Sequence, residues 1–195
     1  MKAPMRSESM TVEDMETSLQ VDPARLQGQD ETVVNAPIER VWELISDSKQ
    51  LEKWGPPVRE VTIVDAPEKL GSRRIVVGEF TPGGAVITAQ ESPTARRKKV
   101  AHFHERRIEH IEGFKVGYRI EEEDIGIFRV ITQVGYTTEL ESLGQSQTRV
   151  VWKFFHNPKG IFGHIMNRLF VLRQQRTNRR GALASLKRYA EDLET

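Results

Sequence analysis

The sequence predicts an α+β domain in which a strongly curved antiparallel sheet of seven strands wraps around one long C-terminal helix. Three observations lead there. Between Val58 and Phe155, six segments are rich in β-branched or aromatic residues, most of them bounded by Gly, Pro or charged clusters. The connections Glu112-Gly113 and Gly144-Gln145 are so short that the strands on either side have to pair as antiparallel hairpins. From Gly160 onward the apolar spacing changes to that of a helix. The chain has 195 residues, room for one domain with an appendage, and its 37% hydrophobic and 29% charged residues suit a globular chain with its own core.

Residues 1–28 read as a disordered, acidic tail with no sustained apolar run; over residues 1–31 seven acids face only Lys2, Arg6 and Arg25. This is neither a secretory signal nor an organellar transit peptide, so a cytoplasmic protein is the default expectation. Met1, Met5, Met10 and Met15 leave the true translation start open. The domain proper, residues 29–195, opens with a β-prone run ending in Thr32-Val-Val-Asn35. Pro37 suits the first position of a helix, where its missing N–H is harmless, and Ile38, Val41, Trp42 and Ile45 follow at helical spacing. Lys49 to Trp54 reads as a second short helix, closed by Gly55-Pro56-Pro57.

The six further strands are Val58 to Asp65, Ser72 to Phe80, Phe103 to Ile111, Phe114 to Glu122, Arg129 to Leu143 and Ser146 to Phe155. In the final segment Leu183, Leu186, Ala190 and Leu193 form an apolar stripe, continued backwards by Leu172, Leu169 and Ile165. That implies a helix of about 30 residues, near 45 Å long, with Gly181 as the point where it would kink or pack closely. Ile161 to Leu172 is interrupted by His164, Asn167 and Arg168 and falls short of the roughly 20 apolar residues of a membrane span. The absence of cysteine excludes disulfides, thiolate zinc sites, iron–sulfur clusters and a cysteine nucleophile.

This element order, with Asn35-Ala-Pro-Ile-Glu-Arg-Val-Trp-Glu-Leu-Ile-Ser-Asp47 near the front, resembles the START/Bet v 1 (SRPBCC, helix-grip) superfamily, in particular its bacterial polyketide cyclase/dehydrase and lipid-transport branch. The resemblance runs from about Glu31 to Glu194. It is carried further by Trp54-Gly-Pro-Pro-Val58, Gly71-Ser-Arg-Arg74, Glu105 with Tyr118, Thr148-Arg-Val-Val-Trp152, and Arg176-Thr-Asn-Arg-Arg-Gly-Ala-Leu-Ala-Ser-Leu-Lys187. It implies a deep cavity for a hydrophobic small molecule between sheet and helix. Proteins of this kind include lipid carriers, hormone receptors, quinone-binding proteins and aromatase/cyclases, so the resemblance specifies fold more than activity. One departure stands out. Relatives usually join the strands of Arg74 and Glu105 by a tight hairpin, whereas here Thr81 to Lys99 reads as an insertion, at about residues 80–100, that would lid the cavity or mediate assembly.

Period-2 alternation gives three inward faces: Phe114, Val116, Tyr118 and Ile120; Val130, Thr132, Val134 and Tyr136; Thr148, Val150, Trp152 and Phe154. Tyr118, Tyr136, Trp152 and Phe154 therefore line either a ligand pocket or simply the core; Tyr and Trp suit a pocket because each offers an apolar wall and one hydrogen-bonding tip. Arg74 and Glu105 are the candidate catalytic residues. If inward, they must be paired or bind something, since an isolated buried charge is too costly. A mutual salt bridge is the plainer outcome; as a functional pair, Arg74 would polarise a carbonyl and Glu105 accept a proton, with a bulge near Glu105 disturbing the alternation. His102, His104 and His110 share a parity that can chelate zinc, but no further ligand stands at a recognisable spacing and no metal is expected. His156 would reach the cavity mouth or end its strand as a polar residue.

The near-neutral total of +1 conceals a polarised chain. Lys159, Arg168, Arg173, Arg176, Arg179, Arg180, Lys187 and Arg188 face only Glu191, Asp192 and Glu194, a net +5 on the last segment. A solvated face partly neutralised by Glu121 to Asp124 is the first reading, an anion clamp at the cavity mouth through Arg176 the second, and membrane-surface contact beside Ile161-Phe162 the third. Nucleic acid is not expected, since no recognition module is evident. The expectation is binding or transport of a lipid, quinone or polyketide-like molecule, with Tyr118, Tyr136 and Trp152 as walls and Arg74, Glu105 and Arg176 orienting polar groups. The alternative is a cyclase, aromatase or dehydratase using the same cavity without metal or nucleotide cofactor. An interaction module working through the insertion and the basic helix is the third class.

Overall fold

The computed structural model describes residues 25–80 and 99–192. The tail up to residue 24 with its four methionines, the apparent insertion over 81–98, and Leu193 lie outside the described residues. Strand β1 (Leu26–Val34) is followed by helix α1 (Ile38–Ser46), a 3-10 turn (Ser48–Gln50) and helix α2 (Leu51–Trp54). Next come β2 (Val58–Ile63), β3 (Arg73–Phe80), β4 (Lys99–Ile111), β5 (Lys115–Glu123), β6 (Ile131–Ser142) and β7 (Thr148–Pro158). The chain closes with α3 (Gly160–Met166), a π-helical turn (Asn167–Val171) and α4 (Leu172–Asp192). The seven strands form one sheet in the order β1-β7-β6-β5-β4-β3-β2, every pair antiparallel. This is the helix-grip arrangement expected from the sequence.

The local causes are readable. Pro37, at φ −59°, opens α1, and the Asp47 carboxylate accepts the Lys49 N–H at 2.9 Å to start the next turn. Gly113 turns the β4–β5 hairpin at φ +69°, a conformation that disfavours any residue with a Cβ. α1 buries Val41, Trp42, Leu44 and Ile45 against Leu183, Leu186 and Ala190 of α4 and against Val34 and Leu140 of the sheet. Each large apolar side chain removed from water there contributes about 1.5–3 kcal/mol. The largest core cluster thus lies where α4 meets α1 and the sheet, with smaller clusters around Val61, Val76, Ala101 and Phe103 and around Ile131, Val134 and Phe154.

Five expectations change. β1 begins at Leu26, so residues 26–28 belong to the sheet; Gln27-Gly28-Gln29 has no strand-like composition, but it pairs along β7, and Asp30 beside it binds Arg179. Phe114 is exposed because it sits in the turn before β5, its N–H bonded to Ile111 O, outside the alternation that buries Val116 and Tyr118. Thr132 is turned towards Asn157 by a bulge in β6, where Gln133 adopts φ +55°. Ile165 and Leu169 point outward, 51% and 58% exposed, because Gly163 and Asn167 take the buried face of that segment. A Cβ on Gly163 would lie 2.5 Å from the Val130 carbonyl oxygen, and His156 Nε2 donates to Asn167 Oδ1 at 2.6 Å. The irregularity of the long helix is therefore the π-helical turn; α4 runs through Gly181, and a Cβ there would meet nothing within 4 Å.

Candidate functional site

A cavity of about 750 Å³ lies between the concave face of the sheet, the Leu51–Val58 segment, and the helical stretch from Met166 to Ala182. Its walls are mostly apolar, among them Leu44, Val76, Phe103, Ile120 and Val134. Tyr118, Tyr136, Trp152 and Phe154 all line it, as do Arg74 and Glu105. Cross-strand register explains the convergence. Arg74 and Glu105 are direct partners on β3 and β4, and Arg107, Tyr118, Tyr136 and Phe154 form one row across β4, β5, β6 and β7. Aromatic rings continue the wall: Tyr118 to Tyr136 at 5.7 Å between centroids, Tyr136 to Trp152 at 5.6 Å, and Trp152 to Trp54 at 6.5 Å.

Two bulges in the β4–β5 ladder, one with Glu121 of β5 as the extra residue opposite His104 and Glu105 and one with Ile108 of β4 between Arg107 and Glu109, bracket Glu105 and Arg107. Arg74 and Glu105 are 4% and 6% exposed and form a salt bridge, with Arg74 Nε and Nη2 donating to Glu105 Oε2 at 2.9 and 2.8 Å. The Tyr136 hydroxyl accepts from Arg74 Nη2 at 2.7 Å and donates to the same Oε2 at 2.8 Å. Among the described residues, none bonds Glu105 Oε1. The Arg74 guanidinium also lies 3.5 Å above the Tyr118 ring and donates through Nη1 to Ser48 Oγ at 2.7 Å.

Behind this layer sits a second ion pair that the sequence reading missed. Arg107, 2% exposed, donates to Glu68 Oε1 at 3.0 Å, to Ser46 O at 2.7 Å and to the Tyr118 hydroxyl at 2.8 Å. Ser48 Oγ donates to Glu68 Oε1 and joins the two pairs. The sequence held one signal for Arg107, its shared parity with Glu105, while Ser48 and Glu68 lie in connecting segments with no periodicity to place them.

Two guanidiniums and two carboxylates balance, so the buried cluster carries no net charge. Burial works against the charge on Arg74, but Tyr118, Tyr136 and Glu105 outweigh it and hold its pKa above the ordinary arginine value. Burial pushes the Tyr136 phenol well above the ordinary tyrosine value, with Arg74 opposing and Glu105 adding to the effect. Both groups therefore keep their protons across the physiological range.

Other expected residues are placed differently. Arg176 is exposed and borders a shallow surface groove beside β1 with Arg180 and Lys187, because the helix turns it away from the sheet. Arg179, almost one turn further along, lines the cavity instead; it is 6% exposed, its Nε bonds Asp30 at 2.8 Å, and its guanidinium fills the space left by the missing side chain of Gly28. Of the helix cations, Arg179 and Arg180 meet Asp30, while three of the four acids expected to neutralise them are engaged elsewhere. Glu121 binds Arg106, Glu123 accepts the N–H groups of Ile125, Gly126 and Phe128, and Asp124 binds His102. His156 is fully buried, bonded to Asn167 of the π-helical turn, and does not line the cavity. His102 and His104 are exposed, and the His110 ring packs on Trp42 at 5.4 Å. Among the described residues, no three His, Asp or Glu are grouped to hold a metal ion, and no helix is long and apolar enough to cross a membrane.

Comparison with known proteins agrees with this architecture. No curated protein sequence matches the chain. Among solved structures, TTHA0849 from Thermus thermophilus is 20% identical, with 86% of this chain and 98% of that one covered at a TM-score of 0.61. A START superfamily protein from Mycobacterium smegmatis is 13% identical, covering 85% and 97% at 0.62. The Zhui aromatase/cyclase from Streptomyces sp. R1128 is 17% identical, covering 83% and 93% at 0.54. At these identities the likeness is one of fold. The family model described as polyketide cyclase / dehydrase and lipid transport matches residues 25–191, nearly the whole chain, and the protein belongs to that family within the START/Bet v 1 superfamily.

Proposed function

We propose that the protein binds and carries a hydrophobic small molecule, lipid, quinone or polyketide-like, in the cavity between sheet and C-terminal helix. One observation supports this most: an apolar space of about 750 Å³ with one polar cluster at its floor, whose charges are already matched. Pockets of this size and lining enclose drug-sized molecules and fix their orientation with few polar contacts. Glu105 Oε1 offers an acceptor to a ligand hydroxyl, while a ligand carbonyl would draw on the Tyr136 O–H or an Arg74 N–H now bonded within the cluster. Acid–base catalysis near neutral pH works best with groups that exchange protons there, and Arg74 and Tyr136 are held outside that range.

A second reading, a cyclase or dehydratase, is favoured by the position of the Tyr136 hydroxyl, 2.7 Å from Arg74 and 2.8 Å from Glu105, where a carbonyl would be polarised beside a carboxylate. Glu105→Gln and Tyr136→Phe separate the two. For a carrier, ligand affinity falls in both variants and no turnover is lost that binding does not explain. Turnover abolished with affinity intact would establish the enzyme instead.

A further inference from the structure

Residues 159–171 reverse the usual amphipathic arrangement. The face turned to the protein presents Gly163 and Asn167, one small and one polar. The face turned to solvent presents Ile161, Phe162, Ile165, Leu169 and Phe170, between 51% and 84% exposed. Ile161, Ile165 and Leu169 recur at spacing four, and so do Phe162, Met166 and Phe170, so these side chains form two adjacent rows on one surface. A globular chain seldom leaves so many large apolar groups together in water without a partner.

Two further observations choose the partner. From Lys159 to Ala190 the chain holds eight Lys and Arg residues and no Asp or Glu, and Arg168 and Arg173, which flank the apolar rows, are exposed. The patch is also continuous with the cavity, since Met166 and Phe170 line the cavity while Phe170 remains 57% exposed. We propose that this helical face docks in the interface of an anionic lipid bilayer, its apolar rows among the acyl chains and its cations at the headgroups, with the cavity mouth held against the membrane. A second copy would bring like charges together. The chain's own segment 81–98, with Arg96, Arg97 and Lys98 against Glu91, would do the same. Docking itself rests on the patch; that it serves loading of the cavity rests on the carrier reading above.

The test is flotation of the full chain with phosphatidylcholine vesicles made with and without phosphatidylglycerol. The chain is expected to float with the phosphatidylglycerol vesicles and to be released by added salt. Phe162→Ser with Leu169→Ser, both at exposed positions, should weaken partition by roughly tenfold or more while leaving the circular dichroism and thermal midpoint unchanged. Absence of binding to anionic vesicles would overturn the proposal, as would binding that the double substitution leaves unchanged. So would a dimer, seen by light scattering, that the substitution dissolves, or vesicle binding gained only when 81–98 is deleted. Vesicle binding by a protein whose native mass shows an empty cavity even after incubation with lipids and quinones would leave docking standing and remove the carrier reading.

Discussion

At the scale of single residues, the site is organised by charge balance inside a low-dielectric floor. Arg74 has Glu105, Arg107 has Glu68, and Ser48, Tyr118 and Tyr136 bond between the two pairs, leaving Glu105 Oε1 to the cavity. Such a cluster is stable only as a set. Arg74→Met should cost about 3–5 kcal/mol because it strands the Glu105 carboxylate, and adding Glu105→Leu should recover much of that loss. Tyr136→Phe should cost about 1–3 kcal/mol. Urea unfolding of the three variants checks these values, and equal losses in the single and double variants would show that the pair does not act as one unit. Arg74 and Glu105 were legible as a candidate pair because both stand in the motifs that carry the resemblance and opposite charges on strands have to pair if they are buried; their inward direction was left open by the bulge near Glu105. Glu68 and Ser48 were not, since only the folded connections after α1 and β2 bring them beneath Tyr118.

At the scale of elements, the C-terminal helix does two different things. Its second half packs by the ordinary apolar stripe of Leu183, Leu186 and Ala190, which the 3.6-residue period announced. Its first half is seated by Gly163 against the Val130 carbonyl and by the His156–Asn167 bond, so periodicity misassigned Ile165 and Leu169 to the core. A polar contact set by tertiary structure overrode the apolar pattern. His156 makes the seating sensitive to pH. Burial lowers its pKa, the Asn167 bond works against this, and the charge of Arg179 adds to it, so the folded state favours the neutral ring. The unfolded chain takes up the proton first as pH falls below about 6.5, and stability drops until the folded state is protonated too; above that value there is no effect. Thermal midpoints of the wild type and His156→Gln should therefore diverge in slope on acidification, the variant being flatter. Parallel slopes would show that His156 is not the group responsible.

At the scale of the whole molecule, the seven strands, the short antiparallel hairpins and the long helix were legible, because turn chemistry and alternation fix them locally; the β1–β7 pairing was not, since it joins distant parts of the chain. The cavity was implied only by resemblance. Its walls come from the sheet, the Leu51–Val58 segment and the helical stretch from Met166 to Ala182, a convergence that no window of sequence encodes. The chain's neutrality also dissolves into geometry: one acid, Asp30, holds both Arg179 and Arg180, while Arg168, Arg173 and Arg176 stay at the surface. What joins these levels is a container with a charged but balanced floor and an apolar rim. The most direct test is the native mass of the purified chain, in the wild type and in Val134→Phe, which places a larger side chain in the cavity wall. A wild-type mass exceeding that of the sequence by one hydrophobic molecule is expected, released on denaturation and diminished in Val134→Phe. A native mass equal to the sequence mass in both proteins, unchanged after incubation with lipids and quinones, would contradict the carrier reading.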